Sequence, residues 1–457
     1  MLLKKLFAPC DMTEGRPWEK ILLFAVPMII GNIAQQLYST VDSVVVGRYV
    51  GDNALAAVGA ATPIFNLLLV LFMGISVGAG VMVSQYFGAR NREELSKTIG
   101  NCITLTAIAS IIIMVVGVLF SRPILRMLDT PPEILDWSAS YLIIMSVGAV
   151  GCAYYNILCG VLRGVGDSMS ALVYLLVATV LNIVLDLYFV AELGLGVSGV
   201  AIATVIAQAI SAILCFFKLR KMRDIFDMET KYLKIDADNT MTIIRLGIPS
   251  GLTQMIMSFA MIAVQSLTNS FGSMVIAANV IIMRVDGFAM MPNFSFGNAM
   301  TTYAGQNVGA GRLDRVEKGS KQGTFIAVVT ATTITGIILL LGKWIMGIFT
   351  TTAALVELAY GMMTIIAAGY ICVAVTQSLS GVMRGAGDTM TPMWISIIST
   401  ILIRVPLAYI MVHLSKTAEN PNGIPQMLFV SLLISWAAGA LITTVFYLKG
   451  NWKKKAL

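Results

Sequence analysis

Long apolar runs separated by short polar stretches set the pattern of this chain. The first six lie near residues 21–45, 53–81, 99–120, 134–158, 169–190 and 197–217. A second six lie near 241–266, 274–303, 322–342, 353–379, 390–412 and 427–448. Each is long enough for a helix to cross roughly 30 Å of hydrocarbon, so the pattern predicts an all-α integral membrane protein with twelve transmembrane helices. The runs at 53–81 and 274–303 carry enough Gly and Pro to predict a break or bend in either. The first run is too long for a cleavable signal peptide and too polar in its middle, at Asn32, Gln35, Gln36 and Asp42. It is expected to remain as the first span.

The chain repeats itself. Gly160-Val-Leu-Arg163-Gly-Val-Gly-Asp167-Ser-Met169 recurs as Gly381-Val-Met-Arg384-Gly-Ala-Gly-Asp388-Thr-Met390, 221 residues later. The same shift lays Gln85-Tyr-Phe-Gly88-Ala89 on Gln306-Asn-Val-Gly309-Ala310. Two homologous six-helix lobes are therefore expected, 1–217 and 241–457, joined by a charged linker at 218–240. An even number of spans per half makes the repeats parallel, an arrangement found in secondary transporters, with a substrate path between the halves. The Arg-Gly-x-Gly-Asp turns suit a structural role. Their glycines supply positive φ, and the Asp caps the following helix.

Composition narrows the function classes. Of 457 residues, 57% are hydrophobic and only 12% charged, an apolar excess too large for water-soluble cores. One His, at 413, and six scattered Cys provide no zinc-type cluster, which argues against a metal enzyme of that kind. With the N-terminus in the cytoplasm, nearly all Lys and Arg fall in cytoplasmic segments, and only Arg48, Arg122, Arg126, Lys343 and Lys416 fall outside. The positive-inside rule thus predicts a multi-pass protein of the cytoplasmic membrane with both termini cytoplasmic. Topology and anionic headgroups account for the net charge of +7, without a nucleic-acid partner.

Ionisable side chains within spans are costly and point to function by default. They are Asp42 in the first span, Asp186 in the fifth, Arg284 and Asp286 in the eighth, and Arg404 in the eleventh. Asn182 and Asp186 stack on one helix face at i, i+4, and Thr204 adds a hydroxyl from the sixth span. If Asp42 approaches that face, the pocket can hold a hard cation through oxygens. It can equally hold a proton, since desolvation and a like charge both favour a neutral acid. Arg284 and Asp286 point to different sides of a straight helix, and Arg404, beside Pro406, is a candidate partner for Asp286 or for free carbonyls. Met257, Met261, Met283 and Met290 crowd the seventh and eighth spans. With Gln36 and Asp286 they are the candidate substrate-lining residues, because Met and aromatic side chains adapt to varied guests.

Together, the twelve spans, the duplication, Pro27 and Asp42 in the first span, both Arg-Gly-x-Gly-Asp turns, Asn182-x-x-x-Asp186 and Gly199-Val-Ala-Ile-Ala-Thr204 carry a family likeness. The chain resembles bacterial multidrug and toxic compound extrusion (MATE) transporters over nearly its whole length. The resemblance implies two six-helix lobes working by alternating access. It also implies export of amphipathic, cationic organic compounds in exchange for H⁺ or Na⁺, by a monomer that needs no other cofactor. The coupling ion, as Na⁺ if sodium is used, is implied to sit at Asp42, Asn182, Asp186 and Thr204. The seventh-span Glu of some members is missing here, where the sequence reads Pro249-Ser-Gly-Leu-Thr-Gln254, so coupling is expected to rest on the first lobe.

Three rivals are weaker. A flippase for lipid-linked or other anionic lipids calls for a cavity lined by several Arg or Lys. A membrane enzyme needs clustered His or acids, and a channel needs a symmetric ring that unequal halves do not form. Conformational roles fall to Pro27, Arg284 and Arg404. If a kink at Pro27 responds to the charge state of Asp42, Pro27→Ala slows transport in vesicles; an unchanged rate rules that coupling out.

Overall fold

The computed structural model describes residues 9–418 and 420–455, without the side chains of Ser39, Ser43, Asp52 and Leu71. Regular structure among the described residues is helical. The first half runs through α1 (Pro17–Tyr49), α2 (Asp52–Gly88), α3 (Arg92–Met127), α4 (Pro132–Val147), α5 (Ala149–Gly164), α6 (Ser168–Asp186) and α7 (Gly196–Arg220). The second runs through α8 (Ala237–Asn269), α9 (Ser273–Gly309), α10 (Leu313–Gly347), α11 (Ala353–Ala367), α12 (Gly369–Gly385), α13 (Met390–Ser396), α14 (Val405–Leu414) and α15 (Gln426–Lys449). A π-helical turn, Leu187–Glu192, extends α6, and a longer one, Ile397–Arg404, joins α13 to α14. Among the described residues, ten helical segments are long and apolar enough to span a membrane. The pairs α4–α5 and α11–α12, bent by 50° and 42°, complete the twelve.

The bends correct one expectation. α2 and α9 run unbroken past Pro63 and Pro292, and the breaks fall instead at Gly148 and at Ala368, directly before Gly369, the residue 221 positions on from Gly148. A proline removes one hydrogen bond, which a long packed helix tolerates. The two glycines face a harder constraint. A Cβ on Gly148 would collide with Val205 of α7, and one on Gly369 with the ring of Trp436 on α15. The crossing helix presses against the backbone at those two points, and the span turns there.

The duplication is visible in the turns. Gly51 and Gly272 enter α2 and α9 at φ of 107° and 90°, and Gly166 and Gly387 turn at 89° and 93°. The turn after α2 has Arg90 at φ 54° where the turn after α9 has Gly311 at 69°, so the backbone form outlasted the residue. Asp167 accepts from the Ser170 N–H at 2.9 Å and the Ser170 hydroxyl at 2.7 Å. Asp388 accepts from the Thr391 N–H at 3.3 Å and the Thr391 hydroxyl at 2.7 Å. Each acid also has a lysine: Lys218 Nζ lies 3.2 Å from Asp167, and Lys455 Nζ lies 4.0 Å from Asp388.

The chain divides into two compact units, but not at 217 and 241. The first contains Val26–Gly251 with the segment ending at Asp11; the second contains Leu252–Leu457 and Met12–Ala25. Residues 218–240 are therefore part of the first unit and not a free linker, because polar groups on α3 bind their backbone. Arg92 donates to Asp227 through Nε at 3.0 Å and Nη2 at 2.8 Å, and the Asp227 N–H donates to Ser96 Oγ at 2.8 Å. Asn101 accepts from the Asp236 N–H at 3.2 Å and donates to Thr240 Oγ1 at 3.0 Å. In the second unit, Arg315 donates to the Met12 carbonyl at 3.0 Å and the Gly15 carbonyl at 2.9 Å, and Met12 N–H donates to Gln306 at 2.9 Å. Both approaches to a repeat's first helix are thus tied by side chains to backbone.

The Arg92 guanidinium holds the Asp227 carboxyl below the usual carboxylate range. A depressed acid contributes stability above its ordinary pKa and loses that contribution as pH falls through the lowered value. Asp227→Asn is therefore expected to speed amide hydrogen exchange across residues 224–233 at neutral pH, and wild type should show the same acceleration only in strong acid.

Candidate functional site

In the first unit, α1, α6 and α7 bring together the four side chains picked from sequence. Asn182 and Asp186 sit one turn apart on α6, both fully buried, and Thr204 of α7 is 8% exposed beside them. The amide orientation of Asn182 follows from its neighbours. With its nitrogen toward the acids it donates to Asp42 Oδ1 at 2.8 Å and Asp186 Oδ2 at 3.0 Å, and its oxygen accepts from the Thr204 N–H at 3.3 Å. The reverse orientation would set oxygen against oxygen. The Asp42 and Asp186 carboxyls are close enough to interact directly. Asp186 Oδ1 is sealed from solvent and has no hydrogen-bond partner among the described residues. The π-helical turn begins at the next residue, Leu187, and such turns often accompany functional sites.

Two phenols complete this pocket, and neither was picked from sequence. Tyr38 donates its hydroxyl to Thr204 Oγ1 at 3.2 Å. Tyr141 of α4, 7% exposed, lies within electrostatic reach of both carboxyls. Tyr38 precedes Asp42 by four residues, the same one-turn spacing as Asn182 and Asp186, and that signal was legible in the sequence. Gln36 lies two residues earlier on α1, partly buried in the same unit.

The second unit has other chemistry. Asp286 of α9 accepts from the Tyr370 hydroxyl at 2.9 Å, and Asn293 donates to the Tyr370 carbonyl at 3.2 Å. The hydrogen-bond partner of Asp286 is thus a tyrosine of α12 and not Arg404, whose guanidinium acts on it only at longer range. Arg284 is exposed. Of the candidate lining residues, Met257 and Met290 face a cavity among α8, α9, α12, α13 and α15. Met261 and Met283, 45% and 42% exposed, are not part of its wall, nor is Asp286. Pro27 lies inside the unbroken α1.

Comparison with known proteins follows this division. The MatE family model matches the chain twice, over residues 27–188 and 249–410, one match per repeat. The chain belongs to the MatE family. It is 30% identical to "Probable multidrug resistance protein YoeA" of Bacillus subtilis, covering 96% of this chain and 95% of that one. It is 25% identical to "Probable multidrug resistance protein NorM" of Thermotoga maritima, covering 96% and 94%. A solved outward-facing multidrug resistance MATE family transporter superposes with a TM-score of 0.90 at 24% identity, over 98% of this chain and 99% of that one. This MatE chain is thus a multi-pass membrane transporter of a multidrug efflux family, built on two six-helix lobes.

Asn182 supplies the donor that separates two acids, so its loss leaves them facing each other without compensation. Asn182→Ala is expected to lower the melting temperature in detergent by a few degrees, and by more at pH 8 than at pH 5, where a proton can take the place of the amide. A pH-independent loss would mean that the two acids do not share the pocket electrostatically.

Proposed function

We propose that this MatE chain exports amphipathic organic compounds in exchange for inward H⁺ or Na⁺, with the coupling ion taken up at Asp42, Asn182, Asp186 and Thr204. The observation that carries this reading is the unpartnered, fully buried Oδ1 of Asp186 beside a second carboxyl. A buried carboxylate oxygen without a donor is expensive, and a proton or a cation is what relieves it. The names of the relatives, multidrug resistance proteins, support the passenger class.

The pocket distinguishes its two possible ions chemically. A proton adds to a carboxyl and leaves the Asn182 amide donating to the other acid. Sodium has no use for an N–H; binding it asks the amide to turn its oxygen inward beside both carboxylates and Thr204 Oγ1. Either ion moves the protein only by binding one facing state better than the other. The carboxylates also draw cationic passengers, which makes ion and drug natural competitors. The distribution of Lys and Arg supports cytoplasmic termini, and a single chain suffices for the site.

Reconstituted vesicles loaded with a fluorescent organic cation, under separately imposed proton and sodium gradients, test this proposal. Asp186→Asn is expected to insert normally and to lose gradient-driven efflux down to background. Gradient-driven efflux at the wild-type rate in that variant removes the site. Thr204→Ala is expected to weaken sodium-driven efflux several-fold and leave proton-driven efflux nearly unchanged.

A further inference from the structure

The cavity faced by Met257 and Met290 lies wholly within the second unit and has a volume of about 90 Å³. Part of its wall is apolar, formed by those two methionines with Phe294 and Trp436. Another part carries donors: Arg384, Gln377 and Ser380 from α12, Ser396 at the end of α13, and Thr400 in the π-helical stretch. No acid lines it. Among the described residues, the Arg384 guanidinium has no hydrogen-bond acceptor and no carboxylate within 4.0 Å, and these four neighbouring polar side chains likewise have no partners. The nearest acid in sequence, Asp388, is committed to Thr391 and Lys455. Gly297 lets α9 and α12 approach closely beside Arg384, since a Cβ there would stand 3.1 Å from the Gln377 carbonyl oxygen.

A guanidinium set into a protein wall without an anion is costly, and its planar fork fits a carboxylate or phosphate through two parallel hydrogen bonds. The unpartnered hydroxyls stand where they can donate to the remaining oxygens. The apolar part of the wall, with its indole and benzene rings, receives the body of a molecule whose charged end is held by the fork. We infer that this cavity is a binding site for the anionic headgroup, a carboxylate or phosphate monoester, of an amphipathic molecule, with Arg384 as its anchor. The inference rests on the export reading in treating that molecule as a passenger, and it extends the passenger class from cations to organic anions and zwitterions. An anionic membrane lipid presents the same chemistry as a free aryl carboxylate, and the test separates the two sources.

Purified protein in a nonionic detergent is titrated with 1-naphthoate by calorimetry, with 1-naphthylmethylammonium as the cationic control. Wild type is expected to bind the carboxylate and to prefer it to the ammonium. Arg384→Gln should weaken naphthoate by about tenfold or more, as expected for a lost charge-assisted contact, and Arg384→Lys by less. Ser380→Ala should weaken it a few-fold, and this keeps the test decisive if Arg384→Gln elutes as misfolded on size exclusion. Repeating the titration in nanodiscs shows the source: competition by phosphatidylglycerol over phosphatidylcholine identifies a lipid headgroup, and no competition identifies a free organic anion. Unchanged naphthoate affinity in the folded Arg384 or Ser380 variants overturns the inference, as does equal binding of the ammonium or no binding at all. Binding is read without any gradient. A protein that binds naphthoate through Arg384 but exports nothing therefore refutes the export reading alone.

Discussion

Two carboxyl groups placed side by side out of water cannot both stay charged unless something positive, or a strong donor, stands between them. Asp42 and Asp186 are in that position, and the rest of the first unit is arranged around the problem. α6 offers the Asn182 amide one turn before the second acid, α7 fixes that amide through the Thr204 backbone, and Tyr38 engages the Thr204 hydroxyl. One oxygen, Asp186 Oδ1, is left over, and it is this oxygen that the proposed uptake of an ion would satisfy.

The second unit shows what duplication retained and what it let go. The left-handed turns recur at Gly51 and Gly272 and at Gly166 and Gly387, and the capping aspartates recur at 167 and 388. These hold the skeleton. The polar chemistry diverged, since the positions matching Asp42 and Asp186 are apolar, Ala263 or Val264 and Leu407. In their place the second unit offers a buried acid satisfied by Tyr370 and a cavity whose charge is that of Arg384. The two copies of the repeat thus carry different polar chemistry.

Much of this was legible in the sequence, and the rest was hidden for physical reasons. Span length, the 221-residue register and the one-turn spacing of Asn182 and Asp186 are local properties, and each reads directly from the order of residues. The bends at Gly148 and directly before Gly369 are not local. They depend on Val205 and Trp436 arriving from another helix, whereas the prolines at 63 and 292, the obvious breakers by eye, sit in helices that run uninterrupted. Tyr370 was missed because a tyrosine in a span gives no sign of which acid it will meet. The 218–240 stretch reads as a linker by its charge, but one of those charges, Asp227, is the docking point for Arg92. Arg384 reads as a turn residue from its motif, and only the surrounding helices turn it into a cavity wall.

The clasp on each capping aspartate shows how loosely a counter-ion can be specified. Asp167 and Asp388 occupy matching places in the repeat, yet their lysines do not: the position matching Lys218 is Gly439, and Lys455 reaches in from beyond the last span. The acid is tied to its site because it must also cap a helix, while the base needs only a flexible stem long enough to arrive. Across diverging descendants of such a fold, the aspartate should stay put and its cation should wander, so an alignment column is the wrong instrument for finding the bond and a radius drawn around the turn is the right one.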